Sequence, residues 1–238
     1  MNFAFGAPIL TQDMAGGSPP RTVLSQTDLP VTTALLAHHQ GEVSGVAVRF
    51  RPIGAYRLFG VPMSHWEADD LDPSLLLPRF LATLPEQLRE AESRDRPALL
   101  DSALTRLLGS ARAVRPEVQW AWQELHRTRG RIRTADLASG AMWSVRQLER
   151  RFKEQVGRSP SAIARILRFS HALRLRETGM PLSKVAREAG YHDQAHFHYV
   201  FRRTTGLTPT QLPSDLLDWS SALPPATAVP DTDGAAIS

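Results

Sequence analysis

The chain has 238 residues, 42% hydrophobic and 22% charged, which is ordinary for a soluble globular protein and leaves room for two small domains. No window approaches the roughly 18 to 20 apolar residues that cross a bilayer, and residues 1–10 lack a signal-peptide pattern, so we expect a cytoplasmic protein without a membrane partner. The absence of cysteine excludes disulfides, thiolate zinc sites and a cysteine nucleophile.

Residues 1–75 predict a small α+β domain. Residues 43–50 alternate well enough to form a strand, and Arg51-Pro52-Ile53-Gly54 would end it. Shorter apolar runs predict further strands at residues 2–5, 21–24 and 32–37.

Residues 76–114 predict a helical connector. Apolar side chains recur there at helical spacing, at Phe80, Leu81, Leu84, Leu88, Leu99, Leu100, Leu104 and Leu107.

The basic charge is concentrated in residues 115–212. This segment has 18 Lys and Arg against 8 Asp and Glu, a net +10, whereas the remainder has 10 against 16, a net −6. A basic segment beside an acidic remainder is typical of nucleic-acid binders, although a solvated helical surface rich in arginine would look the same.

The basic segment repeats itself. FKEQVGRSP at residues 152–160 returns 49 residues later as FRRTTGLTP at residues 201–209, while Leu137-Ala138 matches Val185-Ala186 at a shift of 48. Two copies of one helix-turn-helix unit are predicted, the second one residue longer between its turn and its second helix.

Capping residues give the helix boundaries of both copies. We expect Thr134 to cap a short helix, Ser144 to open a helix to about residue 156, and Asp193 to open its counterpart to about residue 205. Leu148 with Phe152, and Phe197 with Phe201, then face the core. Gly190 supplies a left-handed turn residue in the second copy, whereas Met142 stands at the same place in the first and predicts strain there.

Ser159-Pro160 and Thr208-Pro209 each place a capping hydroxyl before a proline at the first helical position. The first pair predicts a long helix to about Glu177, which joins the two units. At 1.5 Å per residue this helix spans on the order of 27 Å, which suits two recognition helices about one DNA turn apart.

The strings SVRQLERRFKEQVGRSPSAIARILRFSHAL and LSKVAREAGYHDQAHFHYVFRRTTGLTPTQL resemble the AraC-type DNA-binding domain over about residues 115–212. The resemblance implies a mainly α protein with an all-α C-terminal domain of two helix-turn-helix units. It further implies a transcriptional regulator, not an enzyme, that needs no cofactor and places two recognition helices in adjacent major grooves of a promoter.

The resemblance and the outward faces of the recognition helices give candidate DNA contacts. The candidates for base contacts are Arg146, Gln147, Arg150, Gln194, Ala195, His196, His198 and Tyr199. Arg146 and Arg150 are the positions most used in the family, whereas many members carry a basic residue where Tyr199 stands. The candidates for phosphate contacts are Lys153, Arg158, Lys184, Arg202 and Arg203. Trp143 and Tyr191 follow the two turns and are interpreted as core residues.

The N-terminal part is similar to the sensory or accessory domains of some such regulators, through VAVRFRPIGAYRLFGVP at residues 46–62. Compared with those domains, we expect Met1 to lie inside the first sheet. A ligand pocket is therefore expected to be incomplete or absent. Any effector would be sought near Phe50, Tyr56, Phe59 and Trp66, for which a core role is the simpler interpretation. Residues 213–238 are expected to be disordered.

The first alternative is a metal hydrolase, suggested by His38-His39, by His192, His196 and His198, and by Asp69, Asp70 and Asp72. No established metal-ligand spacing is present, so no metal site is expected. The second alternative is a helix-turn-helix protein that no longer recognises a specific DNA sequence and instead binds polymerase or another regulator. The expected partners are double-stranded DNA and RNA polymerase, while a small-molecule effector and a homodimer stay open.

Overall fold

The computed structural model describes residues 1–14, 19–23, 25, 27, 29–30, 32–39, 41, 44–67, 76–109 and 111–212. Over these ranges the chain is mostly helical, with a small β region at its N-terminus, as the sequence predicts. The tail at 213–238 and the predicted loop at Asp69–Asp72 lie outside the described residues.

The β region consists of two small antiparallel sheets. Their strands are β1 (Asn2–Ala4), β2 (Ile9–Asp13), β3 (Arg21–Val23), β4 (Leu35–His39) and β5 (Gly45–Ala47). One sheet pairs β1 with β5, and the other has the order β3-β2-β4. Ile9 lies opposite Val23 on one side and opposite His39 on the other, so β2 sets the register of its sheet.

Three strand predictions need correction. The strand expected over residues 43–50 is only three residues long, and the one expected over 32–37 lies at Leu35–His39. β2 was not predicted at all. The side chains of β4 are mostly exposed, so pairing with β2, and not an apolar face, determines where β4 lies.

The helices that follow share a core with the first strand. They are α1 (Pro52–Phe59), α2 (Leu84–Glu90) and α3 (Arg96–Leu108), with 3₁₀ turns at Met63–Glu67 and Arg79–Leu81. Phe3 of β1 is buried with Leu88 of α2 and with Leu104 of α3. α1 was missed because Pro52 was read as ending a strand, whereas it occupies the first turn of a helix, where its missing amide costs nothing.

The basic segment forms six helices among the described residues. They are α4 (Pro116–Arg127), α5 (Thr134–Gly140), α6 (Val145–Val156), α7 (Pro160–Glu177), α8 (Leu182–Glu188) and α9 (Gln194–Thr205). One core is built around Trp122, Leu148 and Phe152, and a second around Phe197 and Phe201. α7 contributes Ile163 to the first core and Leu173 to the second, so this single helix connects both.

Candidate nucleic-acid interface

α5 with α6, and α8 with α9, form two helix-turn-helix units that have the same turn. The amide of Trp143 donates to the carbonyl of Ala138 at 2.9 Å, and the amide of Tyr191 donates to the carbonyl of Ala186 at the same distance. Met142 and Gly190, which directly precede these donors, have φ values of 55° and 80°. Both turns therefore use the left-handed region, and the strain expected at Met142 is present.

The second helix of each unit begins at a side-chain cap. The Ser144 hydroxyl accepts from the amide of Gln147 at 3.2 Å, and Asp193 Oδ1 accepts from the amide of His196 at 2.7 Å. Both predicted caps are confirmed. The extra residue of the second unit is His192, because Trp143 aligns with Tyr191 and Ser144 with Asp193.

The expected cap at Thr134 is wrong. Arg133 precedes the first turn of α5, and Thr134 is the first helical residue. The Arg133 guanidinium instead binds Asp136 through two hydrogen bonds of 2.8 and 2.9 Å.

Thr208-Pro209 opens only a turn within the described residues. The amide of Gln211 donates to the Thr208 carbonyl at 3.0 Å, and the chain shows no helix up to Leu212.

The inward residues of the recognition helices are fully buried. Leu148 and Phe152 in α6, and Phe197 and Phe201 in α9, each have 0% of their surface exposed. Because these pairs fix the rotation of each helix, the opposite faces must point to solvent.

The first recognition helix presents its predicted reading residues together. Arg146, Gln147 and Arg150 are all exposed near the start of α6. Glu154 pairs with Arg151 at 3.0 Å, so the carboxylate that could have paired with Arg150 is engaged elsewhere.

The second recognition helix presents four of its five predicted base-contact residues. Gln194, Ala195, His196 and Tyr199 are exposed on α9. The Tyr199 hydroxyl accepts from Nη1 of Arg203, one helical turn further along α9, at 3.4 Å. The Arg203 cation is therefore held beside the Tyr199 ring.

His198 is placed differently from the other four. It is half-buried, its ring centroid lies 6.4 Å from that of Phe197, and its Nε2 is buried without a hydrogen-bond partner. His198 follows Phe197 directly, so it lies at the edge of the core and not on the outermost face.

Four of the five predicted phosphate-contact residues are exposed, and the fifth is half-buried. Lys153, Lys184, Arg202 and Arg203 are exposed. Arg158 is half-buried and its Nε donates to the carbonyl of Pro30 at 3.0 Å, which ties it to the N-terminal half.

Trp143 and Tyr191 pack against the two cores, as expected. Burial raises the pKa of Tyr191 to about 12. Burial also lowers the pKa of His126, which lies in α4 against Trp122, to about 4, with further lowering by Arg51 and Arg174. Both groups are therefore neutral at pH 7.

The sequence reasoning missed an arginine cluster between the two units. Arg129 Nη1 lies 2.9 Å from Nε2 of the buried His171, and a Cβ on Gly190 would lie 3.0 Å from Arg131 Cγ and 4.0 Å from Arg168 Cδ. Arg174 acts electrostatically on the same histidine. The signal in the sequence was the run RTRGRIR at residues 127–133, where arginine recurs at every second position.

The N-terminal half touches the C-terminal end of each recognition helix. A Cβ on Gly157, after α6, would meet Leu29 at 2.6 Å, and a Cβ on Gly206, after α9, would meet the Met14 carbonyl oxygen. The amide of Ala34 donates to the Thr204 carbonyl at 2.7 Å. The start of each recognition helix, where base contacts are expected, is left free of these contacts.

Three of the four residues proposed for effector binding lie in a packed aromatic row. The Phe50 and Phe59 rings, and the Phe59 and Trp66 rings, have centroids 5.3 Å apart, while Tyr56 and Trp66 are buried. A cavity of about 10 Å³ beside Phe50 and Phe59 is lined by apolar side chains and is just large enough for one water molecule.

Two further findings concern the described residues alone. Their helices include none that is long and apolar enough to cross a membrane. Their His, Asp and Glu side chains form no group of three or more that could hold a metal ion.

Comparison with known proteins places the match in the basic segment. Residues 137–214 match the family model described as a helix-turn-helix domain. The chain is 30% identical over 120 residues to the HTH-type transcriptional activator RhaR of Enterobacter sp. (strain 638), which is 50% of this chain and 36% of that protein. It is 35% identical over 72 residues to RhaR of Escherichia coli (strain K12), 30% of this chain and 26% of the relative. The matches thus span about a third or less of these relatives.

Among solved structures, the C-terminal domain of AraT, a response regulator from Geobacillus stearothermophilus, is 24% identical with a TM-score of 0.39. The alignment covers 42% of this chain and 85% of that one. ToxT from Vibrio cholerae O395 is 13% identical with a TM-score of 0.42, covering 90% of this chain and 86% of that one.

Proposed function

We propose that this chain is a transcriptional regulator of the AraC type that binds promoter DNA sequence-specifically, since residues 137–214 match a helix-turn-helix domain model. α6 and α9 enter two consecutive major grooves on one face of the duplex. The observation that carries the proposal is the pair of recognition helices with equivalent caps, turns and buried faces, joined by the 18-residue α7.

Base reading falls to the exposed N-terminal halves of these helices. The Arg146 and Arg150 guanidinia can each bind O6 and N7 of a guanine, which discriminates against a wrong base by roughly 1–3 kcal/mol. Gln194 suits adenine, and the Ala195 methyl suits the methyl group of thymine. Lys153, Lys184, Arg202 and Arg203 bind phosphates and fix the register without reading sequence.

The N-terminal half acts on the ends of the recognition helices that point away from the bases. Its contacts with Gly157, Thr204 and Gly206 connect any change in the β region to both helices. We propose that this half receives a signal or sets the oligomeric state, and that the DNA-bound protein contacts RNA polymerase.

The cavity beside Phe50 is too small for an effector, because it has room for only one water molecule. A ligand there would require the aromatic row of Phe50, Phe59 and Trp66 to open.

The test is selection of genomic fragments by the purified protein at fixed salt. An Arg146→Ala, Arg150→Ala variant is compared with an Arg79→Ala, Arg89→Ala control, which removes two exposed arginines from the N-terminal half. We expect a bipartite motif with half-sites about 10 base pairs apart, centre to centre. The first variant should lose one half of the motif, and the control should keep both. Recovery of no motif from folded wild-type protein would overturn specific recognition.

The second candidate function is protein binding without specific DNA reading. Met142 and Tyr199 are 91% and 62% exposed, so both present large side chains that a protein partner could cover. This alternative predicts DNA affinity that is weak, steeply dependent on salt and indifferent to sequence. The same selection experiment therefore separates the two candidates.

A further inference from the structure

The loop between α4 and α5 packs closely against α7. Gly130 has a φ of 72°, and a Cβ on this residue would lie 2.2 Å from the Ala164 carbonyl oxygen. Arg129, its neighbour, has a φ of 52°, a left-handed conformation that costs an arginine of order 1 kcal/mol or more. The arginines of this loop therefore lie on a backbone that packs directly against α7.

Two arginines of the loop are neutralised locally and two are not. Arg127 binds Glu124 and Arg133 binds Asp136, each within its own helical turn. Arg129 and Arg131, which alternate with them, have no carboxylate within ion-pair distance in the part of the chain that the structure describes.

Arg129 and Arg131 meet two further arginines of α7. The Arg131 stem packs on Gly190 together with that of Arg168, whose buried Nε has no hydrogen-bond partner. Arg174 acts on His171 together with Arg129 and Arg131. Neither Arg168 nor Arg174 forms an ion pair with a carboxylate among the described residues. We call Arg129, Arg131, Arg168 and Arg174 the inter-unit arginine cluster.

The group at the centre of the cluster supplies no counter-charge. His171 is 7% exposed, and burial, followed by Arg129, Arg174 and Arg131, lowers its pKa. A guanidinium can only donate, so Nε2 of the neutral ring accepts from Arg129. Glu188 is the single acidic residue that acts on His171, against three arginines. The cluster therefore keeps a strong positive potential, which a polyanion would relieve.

The cluster lies between the two units. Arg129 and Arg131 come from the loop before α5, and Arg168 and Arg174 come from the joining helix α7. Arg131 and Arg168 also lie against Gly190, in the turn that leads to α9. If α6 and α9 occupy consecutive major grooves on one face, the strip of duplex between them is a minor groove bounded by two phosphate strands.

We propose that the inter-unit arginine cluster binds backbone phosphates of the DNA between the two half-sites. This inference rests on the proposed function, since it needs duplex DNA laid across both units. Arginine suits the task because its fork binds two phosphate oxygens at once. Such contacts add affinity on every sequence and carry no base preference.

The test is a salt titration of DNA affinity with a triple variant. Arg129→Gln, Arg131→Gln, Arg174→Gln removes three exposed charges, and Arg79→Gln, Arg89→Gln, Arg94→Gln removes three exposed charges from the N-terminal half as a control. Each lost phosphate contact lowers the slope of log K against log salt by about 0.9, so we expect a decrease of 2 to 3. Affinity at physiological salt should fall roughly 10- to 100-fold on selected and on scrambled duplexes alike. The corresponding Arg→Lys triple variant should recover most of the slope.

A slope equal to that of the control would overturn the inference, as would a loss confined to the selected sequence. A reduced slope in a protein without any sequence preference would support the cluster while overturning specific reading by α6 and α9. If the triple variant does not fold, phosphate ethylation interference on the wild-type protein decides. We expect interference at the phosphates between the half-sites, and its absence there contradicts the inference.

Discussion

Met142 in the first unit and Gly190 in the second occupy the same place in the turn, in the same left-handed region of φ. Ser144 and Asp193 then cap the two recognition helices with different side chains, and glycines in the left-handed region end both. The comparison shows what the unit requires: an amide-accepting cap, two buried residues four apart and a left-handed end. The turn position accepts a residue other than glycine, but that residue then has a strained left-handed backbone.

The units differ more in what surrounds them. The core around Phe152 includes partly buried Ile53 from α1, whereas the core around Phe201 is completed by Leu212 from the end of the described chain. The first unit therefore shares its core with α1 of the N-terminal half, whereas the core of the second is closed by its own C-terminal segment and the N-terminal half contacts that unit at the end of α9.

The largest expected effect comes from the buried aromatic of each recognition helix. Phe152→Ala and Phe201→Ala should each lower the free energy of unfolding by about 3–5 kcal/mol, because each leaves a cavity at a fully buried position. Urea unfolding at pH 7 measures both. Phe152→Ala should also loosen the N-terminal half, visible as faster amide exchange in α1, and Phe201→Ala should not. Equal rates of amide exchange in α1 for both variants would show that the two units are coupled to α1 to the same extent.

The turn residues give the next largest difference. Gly190→Ala should cost about 1–2 kcal/mol, because a Cβ in the left-handed region is strained and also presses on Arg131. Met142→Gly should gain about 0.5 kcal/mol, since relief of strain is partly offset by the freedom of glycine in the unfolded chain. Met142→Ala is the matched control and should change little, because the Met142 side chain is 91% exposed. A destabilised Met142→Gly variant would mean that its turn carries no strain.

The caps differ in their response to pH. The pKa of Asp193 is lowered, first by the hydrogen bond from the His196 amide and then by His192. Its stabilisation is therefore fully present above its unfolded pKa and is lost as the pH falls through the lower folded value. Ser144 does not titrate, so Ser144→Ala should cost about 1 kcal/mol at any pH.

Unfolding of both cap variants at about pH 6 and about pH 3 tests this difference. The deficit of Asp193→Ala relative to the wild type should shrink at the lower pH, and that of Ser144→Ala should stay constant. A pH-independent deficit for Asp193→Ala would show that the carboxylate charge contributes nothing to the cap.

Features set by local chemistry could be predicted from the sequence. Ser144, Ser159 and Asp193 are caps because a short oxygen side chain reaches the free amides of the next turn. The repeat also revealed both buried pairs. The cap of α5 was placed one residue late, because an arginine gives no capping signal of its own.

Features set by distant contacts could not be predicted. β2 and β4 are defined by their mutual pairing, and the side chains of β4 are mostly exposed, so no alternating pattern marks it. The half-burial of His198 and the tie of Arg158 to Pro30 depend on where other elements pack. The inter-unit arginine cluster joins loop and α7 residues that lie at least 37 positions apart in the sequence, and it forms only when α7 and the loop meet.

If one chain holds α6 and α9 about one helical turn of DNA apart, affinity must depend on the spacing of the half-sites. Inserting about 5 base pairs between the selected half-sites turns one of them to the opposite face of the duplex. We expect affinity then to fall to that of a single half-site. A full-turn insertion of about 10 base pairs should not be tolerated either, because α7 spans only about 27 Å. Unchanged affinity with either insertion would contradict this arrangement of α6 and α9.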